Sequence, residues 1–144
     1  MKPSKPAILL VEDNDLDAEK VVRAFARLGV VRPVTRARNG IEALDALRAA
    51  SSDGVPPVSQ VVLLDLNMPR MNGLEFLEEL RADPSLQGTP VFVLTTSGRE
   101  SDVAAAYRYH VAGYMLKPQT MNEMLDTLRA ASEFWDVCHV PHAA

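Results

Sequence analysis

Val61-Val62-Leu63-Leu64-Asp65-Leu66-Asn67-Met68-Pro69 is the stretch that decides how the rest of the chain is read. A short apolar run stops at a carboxylate, and a turn follows. Three other runs break in the same way. Ala7 to Val11 meets Glu12-Asp13-Asn14-Asp15, Val91 to Leu94 meets Thr95-Thr96-Ser97, and Gly113 to Leu116 meets Lys117-Pro118. Continuous apolar runs rich in β-branched residues suit strands buried on both faces. A fifth run, Val34-Thr35-Arg36-Ala37, alternates apolar with polar residues and is expected at a half-exposed sheet edge.

Amphipathic helices separate the runs. The apolar stripes are Ala18, Val21, Val22, Phe25 and Leu28; then Ile41, Leu44 and Leu47; then Leu74, Leu77 and Leu80. Val103, Tyr107 and Val111 form a shorter stripe, and Met121, Met124, Leu125 and Leu128 the last. Asn14 or Asp15 is suited to cap the first helix, and Gly29 and Gly40 to punctuate. Ser51 to Gln60 reads as a loop tip, and Asp83-Pro84 to Pro90 as a second break. Strands alternating with helices predict an α/β fold, a doubly wound parallel sheet with helices on both faces. Right-handed crossovers then bring every strand's carboxyl end to one edge, where such sheets bind ligands.

Composition narrows the function. The length of 144 residues suits one domain, and 47% hydrophobic content excludes a disordered chain. With 15 Lys+Arg against 19 Asp+Glu, no basic face for nucleic acid is expected. The lone Cys138 excludes a disulfide framework and a Cys-rich zinc site, and fits a reducing compartment. No apolar run approaches the length of a membrane span, so a cytoplasmic protein is expected.

The predicted strand ends bring Glu12, Asp13, Asp65, Thr95 and Lys117 to one edge. Three converging carboxylates repel one another, and a hard divalent cation such as Mg²⁺ relieves that repulsion with oxygen ligands. A lysine and a hydroxyl beside them suit a phosphoryl group. One carboxylate can itself be the nucleophile and form an aspartyl-phosphate.

In order, spacing and strand position these residues resemble the receiver domains of two-component response regulators. The pattern comprises Glu12-Asp13, Leu64 to Pro69 with Gly73, Leu94-Thr95-Thr96-Ser97, Tyr114 and Lys117-Pro118. The resemblance implies a flavodoxin-like sheet of five strands in order 2-1-3-4-5. It implies that Asp65 accepts phosphate from a sensor histidine kinase, and that Glu12, Asp13, Asp65 and the backbone carbonyl of Asn67 hold Mg²⁺. Thr95 matches the switch hydroxyl, Tyr114 the switch aromatic and Lys117 the phosphoryl-binding lysine. The Lys117–Pro118 bond is often cis in such domains. Two departures stand out: Glu12 occupies a position where Asp is also common, and Thr96 one where Ala or Gly is frequent.

A narrower resemblance, to single-domain regulators of phytochromes, rests on Asp83-Pro84-Ser85-Leu86, Thr89-Pro90-Val91 and a tail with Glu133-Phe134-Trp135 and Pro141. It implies a bacteriophytochrome as partner kinase, output by protein contact rather than catalysis on other molecules, and a homodimer. The expected layout is an extension at 1–6, a receiver at 7–130 and a tail at 131–144. That tail either continues the last helix on its own domain or forms a dimerisation arm. Other readings are a phosphate sink, a scaffold receiver and a small Mg²⁺-dependent phosphatase. The last is weakened because Asn67, two residues after the nucleophile, is not an acid.

Overall fold

The computed structural model describes residues 6–52 and 60–140; the tip of the expected loop at 51–60 lies outside them. The described residues form strands β1 (Ala7–Val11), β2 (Val34–Ala37), β3 (Gln60–Leu64), β4 (Val91–Thr95) and β5 (Gly113–Leu116). Helices α1 (Asp15–Arg27), α2 (Gly40–Ser52), α3 (Gly73–Ala82), α4 (Glu100–Arg108) and α5 (Met121–Val137) alternate with them. The sheet is parallel throughout, as the alternation of strands and helices predicts, and its order β2-β1-β3-β4-β5 is the one the family resemblance implies.

Alternation along each strand divides the core. Leu9, Val11, Val62, Leu64, Val91 and Val93 pack with α2, α3 and Ala106 of α4. Ile8, Leu10, Val61, Leu63 and Leu94 face the other way, onto α1 and α5. This is the period of two that a twice-covered strand requires.

Some stripe residues sit differently from expectation. Val22, Ile41 and Tyr107 are about half exposed, at 45%, 46% and 48%. Each lies at the margin of its helix face, and Ala24, Ala43 and Ala106 are buried there instead. β5 is not buried on both faces: it is a sheet edge, its residues are half-buried, and Leu116 is exposed. No cis peptide bond occurs among the described residues, so Lys117–Pro118 is trans; the two isomers of such a bond differ by only about 0.5–1 kcal/mol.

Local signals explain the helix starts. The Asn14 side chain accepts from Asp17 N–H and caps α1. At α3, Asn72 and Glu75 form a reciprocal capping box, with bonds of 2.9 and 3.1 Å. α5 runs through residue 130 without a break, so the expected boundary there falls inside a helix. Trp135 is 1% exposed and packs against Phe25 and Phe92, with ring centroids 6.3 and 5.4 Å away. The buried Arg32 guanidinium lies 6.0 Å from the same indole and is ion-paired with Asp136. Trp135 is therefore a core residue. Trp135→Ala is expected to lower unfolding free energy by about 3–5 kcal/mol in urea titrations, the range for removing a buried large aromatic.

Candidate functional site

Strand register builds the site. β1 and β3 pair as Val11↔Leu64, so Glu12 and Asp65 are the next residues on adjacent strands. The ladder bonds continue past the strand ends, from Asp65 N–H to Val11 C=O at 3.0 Å and from Glu12 N–H to Ala37 C=O at 3.0 Å. On the other side Thr95 pairs with Leu116, and Lys117 N–H donates to Thr95 C=O at 2.8 Å. Side chains far apart in sequence are thus fixed at one edge by backbone hydrogen bonds.

Glu12 and Asp65 are buried, at 2% and 5% exposure, and Asp13 is half-buried. One carboxylate oxygen from each of the three lies within 4.8 Å of the others. The Lys117 ammonium reaches Glu12 at 2.5 Å, Asp17 at 2.9 Å and Asp65 at 3.3 Å. Asn67 N–H donates to Asp65 Oδ1 at 3.3 Å, and Asn14 N–H to Glu12 Oε2 at 3.2 Å.

Burial and an excess of negative over positive charge together set the titration here. Burial is the main cause that pushes the Glu12 carboxyl up, to about 7; the hydrogen bond from Lys117 opposes it and the Asp65 charge adds to it. Burial alone would lower the Lys117 ammonium. Hydrogen bonds to Glu12 and Asp17 and the charge of Asp65 outweigh it, and hold the group above its ordinary value.

Thr95 is fully buried at the end of β4, whereas Thr96 is exposed. Ser97 N–H points to Thr95 Oγ1 at 3.5 Å, a long contact. The Tyr114 hydroxyl donates to Ser97 C=O at 2.6 Å, and the Ser97 hydroxyl donates to Asp102 on α4. Tyr114 also packs on the α2–α3 side of the core. Burial raises its phenol above the ordinary value, so it stays a donor at neutral pH.

The structure adds two residues to the sequence-derived site. Asp17, in the first turn of α1, accepts a hydrogen bond from the Lys117 ammonium. Arg36, on the edge strand, donates to the backbone carbonyls of Glu12 and Asp13 at 3.0 and 3.1 Å. Nothing in the sequence of this edge strand says that Arg36 grips the loop. His110 lies in a turn with φ 60°, and among the described residues no His joins the acidic trio.

An oxygen-only donor set of clustered carboxylates fits a hard divalent cation and offers no soft ligand for zinc or copper. The fold and this acidic edge define a class of signalling domain. Residues 8–129 match the response regulator receiver domain, and the chain belongs to that family. It is 39% identical over 128 residues to the probable methanogenesis regulatory protein FilR2 of Methanothrix harundinacea, covering 89% of this chain and 82% of FilR2. It is 34% identical over 128 residues to response regulator Rcp1 of Synechocystis, covering 89% and 87% of the two chains. The phosphorylated cyanobacterial phytochrome response regulator RcpA superposes with a TM-score of 0.83 at 34% identity, over 96% of this chain and 99% of RcpA. A Mn²⁺-bound form of Rcp1 gives 0.81 at 32% identity, over 94% and 99%. Receiver-domain response regulators are signalling proteins that partner with histidine kinases and bind Mg²⁺ in an acidic pocket.

Gly73 shows how tightly the Asp65 loop is held. A Cβ there would stand 2.7 Å from Leu66 Cα and 2.8 Å from the Asp65 carbonyl oxygen, both backbone atoms that cannot swing aside. Gly73→Ala is therefore expected to destabilise by about 1–3 kcal/mol, as overpacking does. It should also shift the amide resonances of Asp65 to Asn67, which heteronuclear NMR would read.

Proposed function

We propose that this chain is a phosphoacceptor response regulator, with Asp65 as the residue phosphorylated. The observation that carries the reading is the buried Asp65 carboxylate, held beside Glu12 and Asp13 with the Lys117 ammonium 3.3 Å away. An Asp65 carboxylate oxygen attacks phosphorus, the new O–P bond forms, and the N–P bond to the kinase phosphohistidine breaks. Its electron pair returns to the imidazole. Lys117 and the Thr95 hydroxyl hold the phosphoryl oxygens as charge shifts onto them. Glu12, Asp13, Asp65 and the Asn67 carbonyl would hold Mg²⁺. When bound, that ion neutralises the acidic trio and stabilises the transferring oxygens. The chain catalyses only its own phosphorylation and dephosphorylation.

Movement of Thr95 toward the phosphoryl group is then felt by Tyr114 and α4 through Ser97, which biases two conformations of that face. Output is by protein contact. The chain acts in the cytoplasm, its phosphate comes from a sensor histidine kinase, and the likeness to RcpA and Rcp1 favours a phytochrome kinase. FilR2, also similar, carries a name with no reference to light. Phosphotransfer from a panel of purified kinases would decide the input. A homodimer through the end of α5 is supported by Phe134 and Val137, which are 54% and 74% exposed on the helix that buries Trp135. No helix among the described residues is long and apolar enough to cross a membrane.

The test is phosphorylation by acetyl phosphate or phosphoramidate with Mg²⁺, resolved on a phosphate-affinity gel. A base-labile phosphoprotein is expected. It should vanish in Asp65→Asn and when EDTA is present. A phosphoprotein that persists in Asp65→Asn would move the acceptor elsewhere and overturn the assignment.

A further inference from the structure

The Lys117 ammonium has three N–H donors, and the structure aims all three at carboxylates. The bonds to Glu12 and Asp17, at 2.5 and 2.9 Å, are shorter than the 3.3 Å contact to Asp65. Asp17 is delivered by a rigid element. It lies in the first turn of α1, where its own N–H is held by the Asn14 cap at 2.9 Å. The lysine side chain is only 10% exposed, that of Asp17 34%. Beside them opens a pocket of about 140 Å³ walled by Asp17, Thr96, Lys117 and Pro118 among others.

We infer that Asp17 is a positioning residue that competes with the phosphoryl group for Lys117 and so restrains phosphorylation. The inference rests on the reading of Asp65 as phosphoacceptor. A phosphoryl group arriving at Asp65 brings oxygens that need the ammonium. Glu12 and Asp17 already occupy it. Asp17 differs from Glu12 in being partly exposed and outside the acidic trio, so its hold on Lys117 is separable from cation binding. Removing its carboxylate leaves Lys117 directed at Glu12 and Asp65 alone, and removes a negative charge that repels the donor.

The experiment measures the rate of phosphorylation by acetyl phosphate, with Mg²⁺ raised until the rate no longer changes. Asp17→Ala is expected to react about two- to fivefold faster than the wild-type chain, the span that a partly exposed ion pair is worth. Asp17→Asn, which keeps an oxygen acceptor without charge, should fall between them. Asp15→Asn is the control: Asp15 lies two residues away in the same first turn but pairs with Arg36 and Arg38, each at 2.7 Å, not with Lys117. A merely structural role for Asp17 predicts an unchanged or slower rate, and that outcome overturns the inference. So does an equal gain in Asp15→Asn, which would mark a general field effect.

A thermal double-variant cycle on the unphosphorylated protein reads the contact itself. Asp17→Ala should shift Tm less favourably in the wild-type chain than in Lys117→Met, and an identical shift in both backgrounds overturns the contact. Wild-type protein that takes no phosphate under any condition overturns the phosphoacceptor reading and the competition with it, while the cycle still reports whether Asp17 holds Lys117.

Discussion

Two buried acids ending adjacent strands in step is the constraint around which this molecule is organised. Because β1 and β3 pair in register up to Val11 and Leu64, Glu12 and Asp65 cannot move apart without breaking the central ladder. Like charges so placed, with little water between them, repel strongly. Lys117, delivered by β5 from two strands away, offsets part of that repulsion, but a single ammonium contacts Glu12, Asp17 and Asp65 together. Burial raises Glu12, with the Asp65 charge adding to it, and the surrounding carboxylates raise Lys117, so both groups move in the same direction although ion pairing alone would drive the two apart. A site in that electrostatic condition attracts a cation and, once neutralised, can admit an anion.

Backbone carbonyls at the ends of a parallel sheet have no strand partner, and two arginines take that place. At the carboxyl edge Arg36 bridges β2 to the Glu12 and Asp13 carbonyls. At the opposite edge Arg81 donates to the carbonyls of Gln87 and Thr89, before β4, and of Tyr109 and His110, before β5. A guanidinium with five donors in a plane can bind several carbonyls at once, which an ammonium on a flexible stem does less well. The segments these two arginines hold are tied to a strand or a helix at several points. The acidic trio thereby inherits the rigidity of the sheet.

The strands and the acidic edge were legible because burial on both faces writes a continuous apolar run, and a polar residue at its end marks the exit. What the sequence concealed has specific causes. Asp17 has the composition of an ordinary acidic helix start, and only the packing of α1 against α5, at the end of the sheet where Lys117 emerges, turns it onto the lysine. Trp135 lies beyond the recurring units, yet α5 is long enough to carry it back onto Phe25 and Phe92. Arg32 is buried against it, which a charge-pattern reading assigns to the surface. β5 reads as a central strand because its residues are apolar. Position at the sheet edge is a property of the whole topology and leaves no mark in four residues.

Ser97 shows how a change at one strand end can reach a surface. Its N–H faces the Thr95 hydroxyl, its carbonyl accepts from Tyr114, and its own hydroxyl donates to Asp102 on α4. The helix it touches is weakly held. α4 buries Ala106 alone, and its N-cap residue Arg99 gives no side-chain cap. Elements with few buried apolar contacts are the ones that shift at low free-energy cost. A displacement of Thr95 that lengthens the contact to Ser97 therefore acts first on Tyr114 and on the start of α4, not on the tightly packed α1 or α3. The stiff half of the domain holds the acids in place, and the loosely held half is left free to respond to them.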